Sequence, residues 1–407
     1  MVPKKLKIAI FHCAFIYNGG GERIALEEAL GLSKKGYRVD LFAPAVDASK
    51  CFPDLLEKAK VKTIFPQLPK WVLLRDAFSM IYTSMFVWVL APKFAGYDFF
   101  IGANQPGVWI AFVLSKILRK KYVIYLNQPN RIVYPRKIDI ETGWKVNKSF
   151  EFLHAVFDLL TPLVAVLDKL SVRGAETILV NGDYIGAVIS NIYGKKVVEC
   201  SAGADPFGPI AQLKSKSIVV NGNMVAKPYL LITNRHYPQK KFEYGIEAFK
   251  ATLPKNKDLK LVISGGFTPY TDKLRRLVKK LGLGPKVIFL GEVKNVEMGK
   301  LYANSEIYLY TSPEEDYGMG VVEAEYAGVP VVAWKNAGPT ATVVDGKTGY
   351  LARPFNTEDF ASKVSLLLSN DKKRIEMGKA AKLHVFRNFS WKRHVDIMEK
   401  AIIKSVK

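Results

Sequence analysis

The chain has 407 residues, 49% apolar and 24% charged, with a formal net charge of +23. That length carries two ordinary domains and that composition is globular, while the lack of a CxxC…HxxxH pattern or an RNP-type aromatic strand excludes the common nucleic-acid modules. Basic residues outnumber acidic ones in both halves, which leaves anionic small substrates and an anionic membrane face as the partners suited to such a field. Cys13, Cys51 and Cys200 are scattered without metal or disulfide spacing, as in a reducing compartment.

The start, MVPKKLKIAIFHC, imitates a signal peptide but has no small-residue cleavage pattern and runs into glycines, so Ile8 to Phe11 is expected as a buried strand. Asn18-Gly19-Gly20-Gly21 is the turn after it, in which Gly20 and Gly21 let backbone come close to a charged group. A helix from Glu22 to Lys35 follows, with Ile24, Leu26, Ala29 and Leu30 as its apolar face and Gly36 as its stop. Val39 to Ala43 reads as the next strand. Lys50, Lys58, Lys60, Lys62, Lys70 and Arg75 then flank Trp71 to Ala91, whose last part carries no charge and contains Phe78, Met80, Ile81, Tyr82, Met85, Phe86 and Trp88. The uncharged part is shorter than the ~20 residues that span a bilayer as a helix. Two readings stand: an interfacial, lipid-contacting helix beside a basic flank, or a buried helix of the first domain.

Tyr97 to Gly102 and Tyr122 to Leu126 are further strands, the second followed by Asn127-Gln128-Pro129-Asn130-Arg131-Ile132-Val133-Tyr134. Val164 to Leu167 and Thr177 to Val180 suggest two more, and a helix ends at Tyr193-Gly194. Ser201-Ala202-Gly203-Ala204-Asp205-Pro206 closes the first domain, and the polar, glycine-containing sequence to about Lys227 reads as a linker. A second alternation of strands and helices starts at Tyr229 to Thr233, followed by Asn234-Arg235-His236-Tyr237-Pro238-Gln239-Lys240-Lys241 and a helix from Phe242 to Lys250. Leu261 to Gly266 is a strand ending in Gly265-Gly266, and Val287 to Gly291 one leading to Glu292-Val293.

Thr311 to Pro330 lies between the apolar runs Ile307 to Tyr310 and Val331 to Trp334, as a polar loop and a short helix ended by Gly328 and Pro330. In a parallel α/β sheet such a loop stands beyond a strand's carboxyl end, where ligands bind. Gly318 and Gly320 leave backbone N–H groups bare where the helix dipole favours phosphate. Glu315 and Glu323 cannot bind phosphate, but a carboxylate accepts two hydrogen bonds from a vicinal diol. Arg235 and Lys240, at the edge of a second strand-to-helix loop, would stabilise a departing diphosphate, each by about 4 kcal/mol at ~4 Å and an effective dielectric of ~20.

Glu315 and Glu323, eight positions apart around Tyr317-Gly318-Met319, resemble the E(x)7E signature of glycosyltransferase family 4, retaining enzymes of GT-B fold. Arg235 and Lys240 match its R(x)4K pair, with Lys241 where many relatives have glycine. Gly19 to Arg23 resembles the GGxER start, and Asn127 to Tyr134 the HTPxRY turn of mannosyltransferase-like members, with Asn127 at the histidine's place. Gly338 to Thr342 is similar to the GGPxET turn, with Ala341 replacing the glutamate.

The resemblance implies an α/β GT-B protein of two Rossmann-like doubly wound domains facing a cleft, with a C-terminal helix crossing back to the first domain. The expected division is 1–205 on the acceptor side, 206–228 linker, 229–385 for the nucleotide-sugar and 386–407 for the crossover helix. It implies a hexosyltransferase, favouring mannose from GDP-mannose, with a lipid-linked or glycan acceptor. Arg235, Lys240 and Glu315 would be catalytic; Gly20, Gly21, Gly265, Gly266, Val293, Tyr317, Gly318, Met319, Gly320 and Glu323 would bind donor; Asn127, Arg131 and Tyr134 would lie on the acceptor or sugar side. No cofactor beyond the nucleotide-sugar is implied, and no metal: Asp139-Ile140-Glu141 is only a near match to a DxD clamp and is expected at the surface. Location is expected to be cytoplasmic, peripheral at the inner face of the cell membrane through residues 50–94. The alternatives are a UDP-sugar transferase, a sugar-nucleotide epimerase of the same fold, and a silent binding protein.

Overall fold

A computed structural model describes residues 6–69, 71–72, 74–143, 151–204 and 210–406, with backbone alone for 151–159 and 211. Lys70, Asp205 and Pro206 lie outside the described residues. The chain forms two compact units, one of residues 1–136, 145–202 and 391–407, the other of residues 137–144 and 203–390.

The sheet of the first unit contains β1 (Lys7–His12), β2 (Arg38–Ala43), β3 (Lys62–Thr63), β4 (Phe99–Ala103), β5 (Tyr122–Leu126), β6 (Ile178–Val180) and β7 (Val198–Glu199). Their order is β3-β2-β1-β4-β5-β6-β7, with every pairing parallel. Such a sheet must be covered on both faces. Its central strands are accordingly apolar along their length, with Ile8, Ile10, Phe11, Phe99, Ile101, Val123 and Ile124 fully buried. Strand order reverses between β1 and β4, so the loops leaving these two strands open a crevice at their carboxyl ends.

Val164 to Leu167 is not a strand but part of the helix Glu151–Arg173, which contains Pro162. The apolar run has a helical period: Leu160, Leu163, Val166 and Leu170 are exposed, while Asp168, Ser171 and Val172 are buried. Over four apolar residues that period cannot be told from a buried strand. The Trp71 to Ala91 segment is a helix Arg75–Phe86, a 3₁₀ turn Val87–Leu90 and a further helical turn Ala91–Phe94. Together Arg75–Phe94 is long and apolar enough to cross a membrane by length and composition, yet only 28% of its apolar window is buried. The charged ends Arg75 and Lys93 complete a length that the uncharged part alone lacks.

In the second unit the expected linker instead holds an antiparallel hairpin, β8 (Ser217–Val220) and β9 (Asn223–Ala226). Its two-residue turn, Asn221-Gly222, has positive φ at both positions (46° and 75°), the type I′ geometry that Asn-Gly favours. The Asn221 side chain donates to the carbonyls of Leu290 and Glu292, both at 2.8 Å, fastening the hairpin to the unit. The main sheet contains β10 (Tyr229–Thr233), β11 (Lys260–Ser264), β12 (Val287–Gly291), β13 (Ile307–Tyr310), β14 (Val331–Trp334) and β15 (Gly349–Ala352). It is all parallel in the order β12-β11-β10-β13-β14-β15, so the reversal falls between β10 and β13.

The C-terminal helix Trp391–Val406 belongs to the first unit and packs on the helix Gly20–Lys34. The two approach closely at Gly31, where an added Cβ would come within 2.3 Å of Val395 Cγ2. Beside that contact Glu28 and His394 are both fully buried, with Nε2 donating to Glu28 Oε1 at 3.1 Å. The other ring nitrogen faces the Ser201 carbonyl at 3.1 Å and Cys200 Sγ at 3.5 Å. With acceptors at both nitrogens the imidazolium is the form that fits. Burial alone would depress His394; Cys200 and Glu28 overcome it and hold the ring up at about 10. His394→Ala should therefore strand a buried carboxylate and cost ~3 kcal/mol or more in denaturant unfolding of the first unit. Because the folded value lies above the ordinary 6.5, this contribution should be complete in mild acid and fade as pH rises towards 10, a trend absent from Glu28→Gln/His394→Gln.

Candidate functional site

At the reversal point of the second unit, the loop after β10 and the loop after β13 lie side by side. Thr233 ends β10, and Asn234 Nδ2 reaches Ser312 Oγ at 3.4 Å. Thr311 donates its hydroxyl to the Lys240 carbonyl at 3.1 Å. This places Lys240 against Glu315, with Nζ 2.5 Å from Oε2 and both side chains under 20% exposed. Tyr310, at the end of β13, also hydrogen-bonds Glu315, and burial followed by that carboxylate's charge pushes its hydroxyl well above the ordinary value. Glu315 is thus an anion held between a cation and a phenol, which orients it without neutralising it.

Glu323 occupies the helix Met319–Tyr326 and accepts from the Tyr302 hydroxyl at 3.0 Å. Tyr302 in turn meets Thr233 Oγ1 at 2.8 Å, as does Tyr308. The carboxylate is therefore fixed to the last residue of β10, the strand whose following loop carries Lys240. Gly320 makes this possible, because a Cβ there would come within 2.4 Å of the Tyr308 hydroxyl. Gly318, at φ 90°, turns the chain into the helix.

The other expected donor residues arrange around this pair. Gly265 has φ 141°, and its absent Cβ is where the Asn234 carbonyl packs, so β11 ends directly against the Lys240 loop. Gly266 has nothing within 4 Å of a Cβ position, leaving its backbone open. Met319 starts the helix after Gly318. Val293 is buried beyond β12, at the edge of the sheet. Tyr317 points inward, 6.2 Å from the Phe389 ring, with its backbone packed on Gly338. Arg235 is exposed, its guanidinium 5.6 Å from the Tyr237 ring.

The Asp139-Ile140-Glu141 segment is not simply surface. Asp139 is 4% exposed while the Glu141 side chain is 52% exposed, so the two carboxylates diverge rather than converge on a cation. Residues missed in the sequence are the buried supports Thr233, Tyr302, Tyr308 and Tyr310. A signal was present, since two tyrosines on one face of a strand beside a carboxylate-bearing helix need polar partners. His236 was also missed; burial, then Arg275, lowers it to about 4, and it hydrogen-bonds Thr271 at 3.0 Å as a neutral buttress.

The first unit repeats the pattern at its own reversal point. The glycine loop after β1 opens the helix Gly20–Lys34, with Gly20 exposed. A Cβ on Gly21 would sit 2.9 Å from Asn127 Nδ2 and 3.1 Å from Asn104 Nδ2, so both amides crowd the loop. The Asn127 backbone N–H donates to Asn104 Oδ1 at 2.9 Å, while the Asn127 side-chain oxygen Oδ1 is buried without a partner. Arg131 donates to the Tyr134 carbonyl at 3.4 Å, and Tyr134 turns into the core beside Tyr193, 5.8 Å between rings. The turn is held by Asp168, which accepts from Gln105 and Tyr193 at 2.7 Å each and from Asn130 at 3.4 Å. No motif marks Asp168 in the sequence.

Two parallel, doubly wound units, one with cation and carboxylate joined at its reversal point, define a GT-B glycosyltransferase. Residues 214–384 match the glycosyl transferases group 1 family. The chain is similar to the alpha-1,3/1,6-mannosyltransferase ALG2 of Dictyostelium discoideum, 25% identical over 426 residues that cover 96% of each chain. In fold it resembles a sucrose-phosphate synthase of Thermosynechococcus elongatus, with TM-score 0.76, 17% identity and 98% of each chain covered. It also resembles Anabaena HepE in complex with UDP and glucose, with TM-score 0.72, 18% identity and 98% and 100% covered. Residues 214–384 thus carry a group 1 glycosyl transferase domain, and the chain is a hexosyltransferase.

Lys241 gives a local test of the site's scaffold. It closes the turn Pro238–Lys240 in the left-handed conformation (φ 50°, ψ 44°), which costs a side-chain-bearing residue ~1 kcal/mol or more. Lys241→Gly should raise the denaturant midpoint of the second unit by an amount worth roughly 0.5–1 kcal/mol at unchanged slope. A lowered midpoint would show that the lysine side chain, rather than the backbone, governs this turn.

Proposed function

We propose that the enzyme is a retaining mannosyltransferase that moves mannose from GDP-mannose to a lipid-linked or glycan acceptor, with no metal at the diphosphate. The observation that carries this reading is the contact of Lys240 with Glu315 at the sheet reversal. The mannosyltransferase relative, aligned over nearly the whole chain, supports the choice of sugar.

In this reading Arg235 and Lys240 bind the diphosphate, helped by the Gly265-Gly266 turn, where Gly266 has open space beside it, and by the N–H groups of Gly318, Met319 and Gly320. Glu315 accepts hydrogen bonds from sugar hydroxyls and Glu323 from the ribose diol, while the base lies along backbone near Val293. Tyr317 acts through its backbone, since its ring is buried. As the bond from the anomeric carbon to phosphate breaks, charge builds on the leaving oxygen beside the two cations. The acceptor hydroxyl attacks the same face, forms the new glycosidic bond and gives its proton to that phosphate oxygen. Of the first unit, Gly20 and Gly21 serve the donor, and Asn127, Arg131 and Tyr134 the sugar or acceptor. Asn127 donates a hydrogen bond there but cannot serve as a base near neutral pH.

The proposed location is peripheral, on the cytoplasmic face of a membrane. Trp71 at 85% exposed, with Phe78, Ile81, Met85, Trp88 and Val89, offers aromatic and aliphatic side chains beside the basic flank. Leu160, Leu163, Val166 and Leu170 form a second exposed stripe in the same unit. Such an apolar surface is larger than scattered solvent-facing residues require and suits an interfacial contact.

Thermal unfolding with a panel of nucleotide sugars tests the donor. GDP-mannose at about 100 times its Kd should add roughly 2.7 kcal/mol, with UDP-hexoses giving no shift. Stabilisation by UDP-hexoses alone would overturn the choice. Lys240→Ala and Glu315→Ala should each lower the single-turnover transfer rate by ~10²-fold or more. Wild-type turnover of GDP-mannose into an epimer would identify an isomerase instead.

Co-sedimentation with vesicles tests the location. Binding should need anionic lipid, weaken with salt and fall on Trp88→Ser or Leu163→Ser. Absence of binding to anionic vesicles at low salt would remove the membrane proposal while leaving the transferase reading intact.

A further inference from the structure

The end of β1 and the start of the following helix bring together three side chains that the proposed transfer does not use. His12 is fully buried, Glu22 is 3% exposed and Cys13 is partly buried. His12 Nε2 stands 3.3 Å from Cys13 Sγ and 3.9 Å from Glu22 Oε1, and one ligand atom from each residue lies within 4.8 Å of the others. A tetrahedral ion with bonds of ~2.0 Å to nitrogen and oxygen and ~2.3 Å to sulfur sets its ligands roughly 3.3–3.6 Å apart, which the His12–Cys13 pair matches while the Glu22 carboxylate stands farther out.

Three further observations bear on the cluster. The other ring nitrogen of His12, Nδ1, is buried without a partner, so the polar contacts of the ring lie on the cluster side at Nε2. Glu22 is pinned, because its Oε2 fills the place where a Cβ on Gly19 would stand, at 2.2 Å, and the Tyr17 ring borders the same spot. Cys51, also buried, precedes Phe52, whose backbone N–H donates to Asn18 Oδ1 at 2.7 Å, so a second thiol stands by the glycine turn. A carboxylate, an imidazole and two thiols gathered away from water need a positive charge among them, which the imidazolium or a bound cation supplies.

We propose that His12, Cys13 and Glu22 bind a zinc-type divalent cation, fastening the Cys13–Gly19 segment to the helix that it precedes. The mixed nitrogen, sulfur and oxygen set favours a borderline ion such as Zn²⁺ over Mg²⁺ or Ca²⁺, which take oxygen ligands. Three protein ligands leave one coordination position for water. The sequence could not show this, since His12 and Cys13 are adjacent and Glu22 lies across a glycine turn, unlike any spaced ligand motif. The assignment is independent of the donor chemistry, which the proposed function gives to Arg235 and Lys240.

The test uses the full-length protein freed of metal by a chelator and titrated with Co²⁺, a spectroscopic substitute for Zn²⁺. One equivalent should produce a thiolate-to-cobalt charge-transfer band with tetrahedral visible bands, and Zn²⁺ should bleach both. Cys13→Ser should abolish the charge-transfer band, His12→Gln and Glu22→Gln should weaken affinity by at least tenfold, and Cys200→Ser should change nothing. In the unmodified protein Zn²⁺ should also slow alkylation of Cys13, a readout that needs no variant to fold. Absence of the band, its survival in Cys13→Ser, or alkylation unaffected by Zn²⁺ would overturn the proposal.

Discussion

The reversal of strand order between β10 and β13 is the constraint on which the site depends. In an all-parallel sheet every connection must leave from a carboxyl end and cross back, and at one place two successive crossings depart in opposite directions. No helix covers the gap between them. Residues placed just beyond those two strands are therefore held by the sheet and still reachable from outside. Lys240 and Glu315 occupy that position, and the remainder of the second unit can be read as what keeps them there: Thr311 on the Lys240 carbonyl, Tyr310 on Glu315, Gly265 against Asn234.

Such a site cannot be built from charges alone, because buried polar groups must be paired. Glu323 illustrates the solution. Its carboxylate is anchored through Tyr302 and Thr233, which also engages Tyr308, so one carboxylate, two phenols and a hydroxyl close on themselves. The first unit uses the same device twice: Asp168 gathers Gln105, Asn130 and Tyr193, and Glu28 accepts a hydrogen bond from His394. In each case one acidic group ties together elements far apart in sequence, so the polar contacts select one arrangement among apolar packings of similar energy.

The strands were legible wherever apolar runs were bounded by turn residues. Tyr122–Leu126, Tyr229–Thr233, Val287–Gly291, Ile307–Tyr310 and Val331–Trp334 lie where the sequence suggests, because fully buried parallel strands need uninterrupted apolar character. Val164 to Leu167 failed for the same reason: a buried-strand run and one stretch of an apolar helix look alike over four residues. The β8–β9 hairpin was hidden by composition, although Asn221-Gly222 carried the turn signal. Of the site, the charged residues could be named because chemistry demands their types. Their neutral supports could not, since Tyr302 and Thr233 are ordinary residues until folding brings them to a carboxylate.

The departures from family pattern have unequal physical weight. Lys241 in place of glycine keeps the left-handed turn and bears a strain in the backbone, so the geometry of the loop survives the substitution. Asn127 in place of histidine changes the chemistry instead. Its amide packs against Gly21 and its carbonyl oxygen lies buried without a partner, so this position can orient a hydroxyl but not carry a proton. A transfer in which the leaving phosphate itself takes the acceptor's proton has no need of a base there. The replacement therefore costs the reaction a contact rather than a step, which is why the proposed mechanism rests on Arg235, Lys240 and Glu315 and not on the turn of the first unit.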